Sequence, residues 1–160
     1  MILYHGGTDI VDKPVIRSLS AGRDFGQGFY CTDIRDQAEK WAKRQGHIRR
    51  QIPILNMYNF DIEYARRNFN IKSFDDYSHE WLDLVINCRK DTQFTHGFDI
   101  VYGKIANDDV GETVQAVLDG LMPIDFALQK LVFMPANNQY CFCTEPSLAY
   151  MGFIESLKTE

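Results

Sequence analysis

Along this 160-residue chain, short apolar runs punctuated by glycine and proline give way to longer stretches with helical spacing. Ile2 to His5 is an apolar run ended by Gly6 and Gly7, which predicts a first strand entering a tight turn. Residues 9 to 23 mix polar positions with Pro14 and Gly22 and read as a surface connection. From Phe25 to Thr32 glycines alternate with aromatics. Asp33 then stands where a helix N-cap belongs, with Asp36 suited to the first turn. Ile34, Ala38, Trp41 and Ala42 follow at helical spacing, and Gly46 is the expected stop. Ile54 to Phe60 reads as a strand, whereas Phe69 to Phe74 fits either element type. Asp75 opens the clearest helix, with Tyr77, Trp81, Leu84, Val85 and Cys88 on one face. Phe98 to Ile105 predicts a strand, and Val110, Val114, Val117 and Leu118 a helix stopped at Gly120. Pro123 starts another helix through Leu131, Gln139 to Thr144 alternates as a strand, and Pro146 begins a short last helix. Strands towards both ends with helices between them predict an α+β fold rather than a regular βαβ series.

Composition narrows the class. A length of 160 residues with 45% apolar positions suits one domain, 1–160, with a core of its own. A net charge of −5 argues against a protein whose whole surface grips nucleic acid. A local basic stretch, Lys40, Lys43, Arg44, His47, Arg49 and Arg50, reads either as a solvated helix face or as a landing patch for an acidic substrate. Cys31, Cys88, Cys141 and Cys143 show no metal-binding spacing and read as reduced thiols of a cytoplasmic protein. Cys141 and Cys143 share a strand face and bridge each other only with strain. No secretory leader and no apolar run of membrane-spanning length is visible. The glycines Gly22, Gly26 and Gly28 lack both the dinucleotide-fold spacing and the lysine of a phosphate loop, and no GxSxG nucleophile elbow is present.

Three segments carry chemistry together: Tyr4-His5-Gly6, the stretch FGQGFYCTD (Phe25 to Asp33) followed by Trp41, and Gln139-Tyr140. Their combination resembles the catalytic domain of the ADP-ribosyltransferase superfamily, in the His–Tyr–Glu branch of poly(ADP-ribose) polymerases and diphtheria-type toxins. In that branch the first strand ends in His-Gly, as His5-Gly6 does here. A segment FGxGxYxxD follows, a second aromatic stands eleven residues after its tyrosine (Trp41 after Tyr30), and a late strand supplies Glu-Tyr where Gln139-Tyr140 stands. Over nearly the whole chain, LYHGG, DFGQGFYCTD with AEKWA, EWL, FDIVYGKIANDD and NQYCFCTE look like the bacterial family of unknown function labelled DUF3990. Members of that family are regarded as ADP-ribosyltransferase-like and often appear as toxins or effectors, some beside small antitoxin-like partners.

The resemblance implies a split β-sheet core with peripheral helices, NAD+ as co-substrate, no metal, and a macromolecular acceptor, with a small antitoxin protein as a further partner. It implies catalytic roles for His5, Tyr30 and Gln139, and a cofactor-binding set of His5, Gly6, Phe25, Gly26, Gly28, Tyr30 and Trp41. Breaking the nicotinamide–ribose bond demands a rigidly held flat ring, an oriented ribose and stabilisation of developing positive charge. Tyr30 and Trp41 would stack on the ring, each worth about 0.5–2 kcal/mol. Gly6 would offer its peptide to the carboxamide, and His5 would bond the adenosine ribose. Gln139 departs from the family glutamate: it keeps a hydrogen bond but carries no charge, which points to transfer of a single unit rather than polymer elongation. Ala38 stands where polymerases carry serine. Asp108 and Asp109 are candidates for an auxiliary acid, with Asp109 also placed to cap a helix. Two other functions fit the same residues: a non-catalytic NAD+ or ADP-ribose-binding module, and an NAD+ glycohydrolase.

Overall fold

The computed structural model describes residues 1–18, 22–106, 108–132 and 137–159, with the side chains of Asp108 and Asp109 outside the description. In chain order the elements are β1 (Ile2–Gly7), β2 (Phe29–Cys31), α1 (Arg35–Arg49), β3 (Ile54–Phe60), α2 (Ile62–Asn68), β4 (Ile71–Ser73) and α3 (His79–Lys90). They continue with β5 (Ile100–Gly103), α4 (Asp108–Leu118), α5 (Ile124–Leu131), β6 (Gln139–Phe142), α6 (Glu145–Leu148) and β7 (Met151–Lys158). This is a mixed α+β architecture. One sheet runs β1-β3-β7, all antiparallel, and the other β2-β6-β5-β4, with β4 parallel to β5.

Two apolar cores hold these layers. Phe25, Trp81, Leu82, Val85, Val101, Val114, Leu131 and Cys141 form one, where α3, α4 and α5 cover a face of the second sheet. Leu3, Phe29, Tyr58, Phe60, Ile100, Phe142 and Met151 form the other, drawn from both sheets, with Phe60 and Phe142 edge to face at 5.1 Å. Helix α1 lays Ala38 and Ala42 against Gly6 of β1, and Gly46 makes room for the chain at Gln51 and Pro53.

Most predicted elements stand within a few residues of their expected bounds, and the differences have local causes. Asp33 does not cap α1: the N-cap is Ile34, with no side-chain cap bond, and Thr32 Oγ1 accepts the Ile34 N–H at 3.1 Å in the turn before the helix. That helix runs past Gly46 to Arg49 and stops at Arg50, a non-glycine residue at φ 54°. Asp75 precedes α3 by a turn; the cap is Ser78, whose side chain accepts from Trp81 N. The ambiguous segment after Phe69 holds a short strand, β4. Two elements lay outside the pattern reading. The seven-residue α2 is capped by Asp61. In β7, an irregularity opposite Met57/Tyr58 pairs Glu155 and then Phe153 with consecutive β3 residues, which breaks the period of two.

Candidate functional site

Among the described residues, the two sheets are bridged between Tyr4 of β1 and Thr32, just past β2: Tyr4 N donates to Thr32 O at 2.7 Å, and Thr32 N to Tyr4 O at 2.9 Å. In antiparallel pairing, alternate residues turn their peptide groups to opposite edges of the strand. Tyr4 therefore faces β2, Leu3, His5 and Gly7 bond to β3, and Gly6 again presents its N–H and C=O towards β2. Continued pairing would join Gly6 to Tyr30. It stops because the His5 ring intervenes: His5 Nδ1 donates to the Tyr30 carbonyl at 2.7 Å. The Gly6 peptide is left open at the edge of the split, with no hydrogen bond to it from the described residues. Its missing side chain serves α1, because a Cβ on Gly6 would lie 2.1 Å from the Ala38 carbonyl oxygen.

His5 is set as a neutral acceptor. Only an N–H can bond a carbonyl, so Nδ1 carries the proton and Nε2 is left with a lone pair. Burial lowers the His5 pKa from its usual 6.5 more than any other influence, Arg23 adds to this, and the bond to Tyr30 opposes it. The ring stacks on Phe29 at 4.5 Å, which fixes its orientation.

The glycine-rich loop closes on itself. Tyr30 donates its hydroxyl to Gly26 O at 2.6 Å and accepts from Phe25 N at 3.2 Å. Burial holds the Tyr30 pKa well above that of free tyrosine. The hydroxyl is thus committed to the loop, and the ring is what the site can use. The Arg23 guanidinium lies 5.4 Å from the centre of that ring. Phe25 is fully buried and stacks with Phe74, so it belongs to the core beneath the loop. Gly28 lets β6 come close: a Cβ there would sit 2.4 Å from Cys141 Sγ.

On β6, Gln139 and Cys141 share a face, and Cys141 pairs directly with Tyr30. Gln139 is buried and donates its Nε2 to Asp24 Oδ2 at 2.9 Å. A carboxylate only accepts, so the amide orientation is fixed and Oε1 points away from Asp24. Asp24 is the centre of a buried network. Its Oδ1 accepts from Arg89 at 2.7 and 3.0 Å, and its Oδ2 also accepts from Ala106 N at 2.8 Å. Arg89 continues to the Ala106 carbonyl at 3.1 Å. This explains why position 139 carries an amide: an ionised glutamate there would face the Asp24 carboxylate at hydrogen-bond distance. Sequence reading missed Asp24 and Arg89. They lie 65 residues apart and no spacing links them, although Asp24 directly precedes the FGQG segment.

These placements put His5, Gly6, Tyr30 and Gln139 on strands that meet around one bridge. The family described as a protein of unknown function, DUF3990, matches residues 1–153. The chain belongs to the DUF3990 family. No curated protein and no solved structure matches it.

In this DUF3990 chain Trp41 stands apart from Tyr30. It is half exposed, with the Arg44 guanidinium 5.8 Å from its ring centre, and no ring contact joins it to Tyr30 among the described residues. It does lie one turn beyond Gln37, on the flank of α1 that bonds Asn138 beside Gln139, with Gln37 Nε2 to Asn138 O at 2.7 Å. Two open depressions are formed elsewhere. One, of about 950 Å3, lies at the C-terminal end of α1 between Lys43, His47 and Pro53; the other, of about 240 Å3, lies between Asp12 and Met151. Neither is lined by a residue of the predicted catalytic or cofactor-binding set, although the first takes Lys43, His47 and Arg50 from the basic stretch. Among the described residues, no cluster of His, Cys, Asp and Glu is placed to hold a metal ion, and no helix is long and apolar enough to cross a membrane.

Proposed function

We propose that this DUF3990 chain is an NAD+-dependent mono-ADP-ribosyltransferase of toxin or effector type, acting on a macromolecular acceptor. The observation that carries this reading is the interrupted seam: His5 ends the pairing of β1 with β2 and leaves the Gly6 peptide open beside it. An N–H and a C=O on one residue match the carbonyl and amine of a carboxamide, so Gly6 would hold nicotinamide in one orientation. His5 Nε2, neutral and unprotonated, suits a ribose hydroxyl. Tyr30 would offer a ring face once Arg23 leaves it, and Trp41 a second wall from α1. Gln139, held by Asp24, would turn Oε1 to the nicotinamide ribose as a fixed acceptor. On this reading the two sheets are the halves of an ADP-ribosyltransferase-like split core, and the cytoplasm is where NAD+ and the acceptor are met. A small antitoxin protein would be the neutralising partner.

One observation favours a second reading, a non-catalytic NAD+ or ADP-ribose-binding module. The negative charge nearest Gln139 belongs to Asp24, and Arg89 already neutralises it. A glycohydrolase shares the same donor site and differs only in using water as acceptor. Incubating the purified chain with NAD+, alone and with cell lysate, separates the three. Nicotinamide release with label moving onto protein or nucleic acid is the expected result. Release without transferred label makes the chain a glycohydrolase, and binding without release makes it a binding module.

A further inference from the structure

Beneath the glycine-rich loop lies a cluster of thiols that the proposed donor site leaves unused. Cys141 is fully buried and Cys143 half-buried, and their sulfur atoms are 3.5 Å apart on one side of the chain at the end of β6. His96 faces the same spot, with Nε2 3.9 Å from Cys143 Sγ. Its tautomer is fixed from both sides: Nδ1 accepts from Phe98 N at 3.1 Å, so Nε2 carries the proton and donates to the Phe25 carbonyl at 3.1 Å. The Cys143 sulfur therefore lies among the Cys141 thiol at 3.5 Å, the His96 N–H at 3.9 Å and the Cys141 carbonyl oxygen at 3.4 Å; the thiol and the N–H stabilise a thiolate, while the carbonyl accepts from the neutral thiol.

We propose that Cys143 and Cys141 form a peroxide-sensitive thiol pair, with Cys143 as the attacking sulfur and Cys141 as the resolving one. The division of labour follows from access and ionisation. Cys143 is only half-buried, whereas Cys141 is fully buried. The hydrogen bond from Cys141 holds its pKa down to about 6, and His96 helps against the opposing effect of burial. Burial pushes the Cys141 thiol well up. The Cys143 thiolate attacks one oxygen of hydrogen peroxide; the S–O bond forms, the O–O bond breaks, and hydroxide leaves and takes up a proton as water. The Cys141 sulfur then attacks Cys143 sulfenic acid, losing its own proton and displacing hydroxide, which together leave as a second water. Two thiols are oxidised by two electrons, and one peroxide is reduced.

The geometry permits closure at the long end of its range. Residues two apart on an extended strand have Cα atoms about 6.6 Å apart, against about 4.4–6.8 Å for disulfides. Cys143 lies one residue past the end of β6 with its N–H held by Asp99 O at 2.8 Å, so closing the bond from the present sulfur separation of 3.5 Å strains the end of the strand. Closure has a consequence nearby, because Cys141 Sγ fills the space under Gly28, where a Cβ would lie only 2.4 Å from it. Moving that sulfur towards Cys143 disturbs the support of the loop from Gly26 to Tyr30.

The test is graded exposure of the full chain to hydrogen peroxide, followed by alkylation of free thiols, intact mass and peptide mapping. The expected product has lost two hydrogens, alkylates at two of its four cysteines, carries the bond within the peptide that holds Cys141 and Cys143, and is restored by dithiothreitol. Cys143→Ser should abolish this product, whereas Cys88→Ser should retain it. Because Cys141 is buried, the wild-type peptide map, rather than a Cys141 variant, assigns the resolving sulfur. Hydrogen exchange of the Gly26–Tyr30 amides should rise at least about threefold on oxidation, a readout independent of NAD+. Bonding through Cys88, oxygen addition without the bond, or four alkylatable cysteines at peroxide levels that oxidise glutathione would each overturn the proposal.

Discussion

Two polar regions flank the meeting point of the sheets, and they are built in opposite ways. Around Asp24, donors and acceptors are matched inside the protein: Arg89, Gln139 and the Ala106 peptide all converge on one carboxylate. At the end of β1, the Gly6 peptide and His5 Nε2 are left without a protein partner among the described residues, beside the Tyr30 carbonyl that His5 Nδ1 takes. A satisfied buried network specifies structure, and leaving any member unpaired is costly. A polar edge kept open at a seam is available to a ligand. On the proposed function, the Asp24 network supports the fold, His5 and Gly6 would recognise the ligand, and Gln139 would belong to both.

Substitutions should separate the two regions. The largest effects on folding should come from the closed one and from the packing under the open one. Arg89→Ala strands the Asp24 carboxylate and should destabilise the chain by about 3–5 kcal/mol in denaturant titration. Gly6→Ala drives a Cβ into the Ala38 carbonyl and should cost about 3 kcal/mol by the same assay. Gln139→Glu should be next. Placing a second carboxylate against Asp24 should cost about 1–3 kcal/mol at neutral pH, and acid should restore part of it as the pair takes up a proton.

The open region should show the reverse balance, with modest effects on folding and clear effects on binding. His5→Ala is expected to lower NAD+ affinity at least tenfold, read by calorimetry, while the chain remains folded. Trp41→Ala should change stability by less than about 1 kcal/mol, because the ring is half exposed, and weaken binding about threefold to tenfold. The His5 pKa also gives a pH signature. Its folded value lies below 6.5, so as pH falls through 6.5 the unfolded chain takes up a proton that the folded chain refuses. This residue's contribution to stability is therefore present above pH 6.5, declines below it, and levels off under the folded pKa. His5→Gln should remove that slope from a stability–pH profile.

Much of this organisation was legible in the sequence because it is local. The helical face from Trp81 to Cys88 and the strand from Ile54 to Phe60 each rest on spacing within a dozen residues, whereas β1 runs on through Gly6 and Gly7, which were expected to end it, because β3 pairs with both. The candidate residues His5, Gly6, Tyr30 and Gln139 were legible through family resemblance rather than pattern. What stayed hidden depends on distant contacts. The Asp24–Arg89 pair needs the fold to bring it together, and β7 loses its alternation where its register with β3 shifts. Gly6 was read as a glycine for ligand approach, yet its absent Cβ makes room for α1 while its peptide edge stays open, a distinction that only the packing of α1 on β1 reveals.

The central claim is that a carboxamide docks on the open Gly6 peptide. The most direct measurement is a titration of the isotopically labelled chain with NAD+ up to about 1 mM, within the usual substrate range, following backbone amide and histidine ring resonances. Saturable shifts are expected at the Gly6 amide and the His5 ring, lost in His5→Ala, with nicotinamide alone reproducing the Gly6 shift. Shifts confined to the depression lined by Lys43, His47 and Pro53, or a Gly6 amide that does not respond, would contradict it.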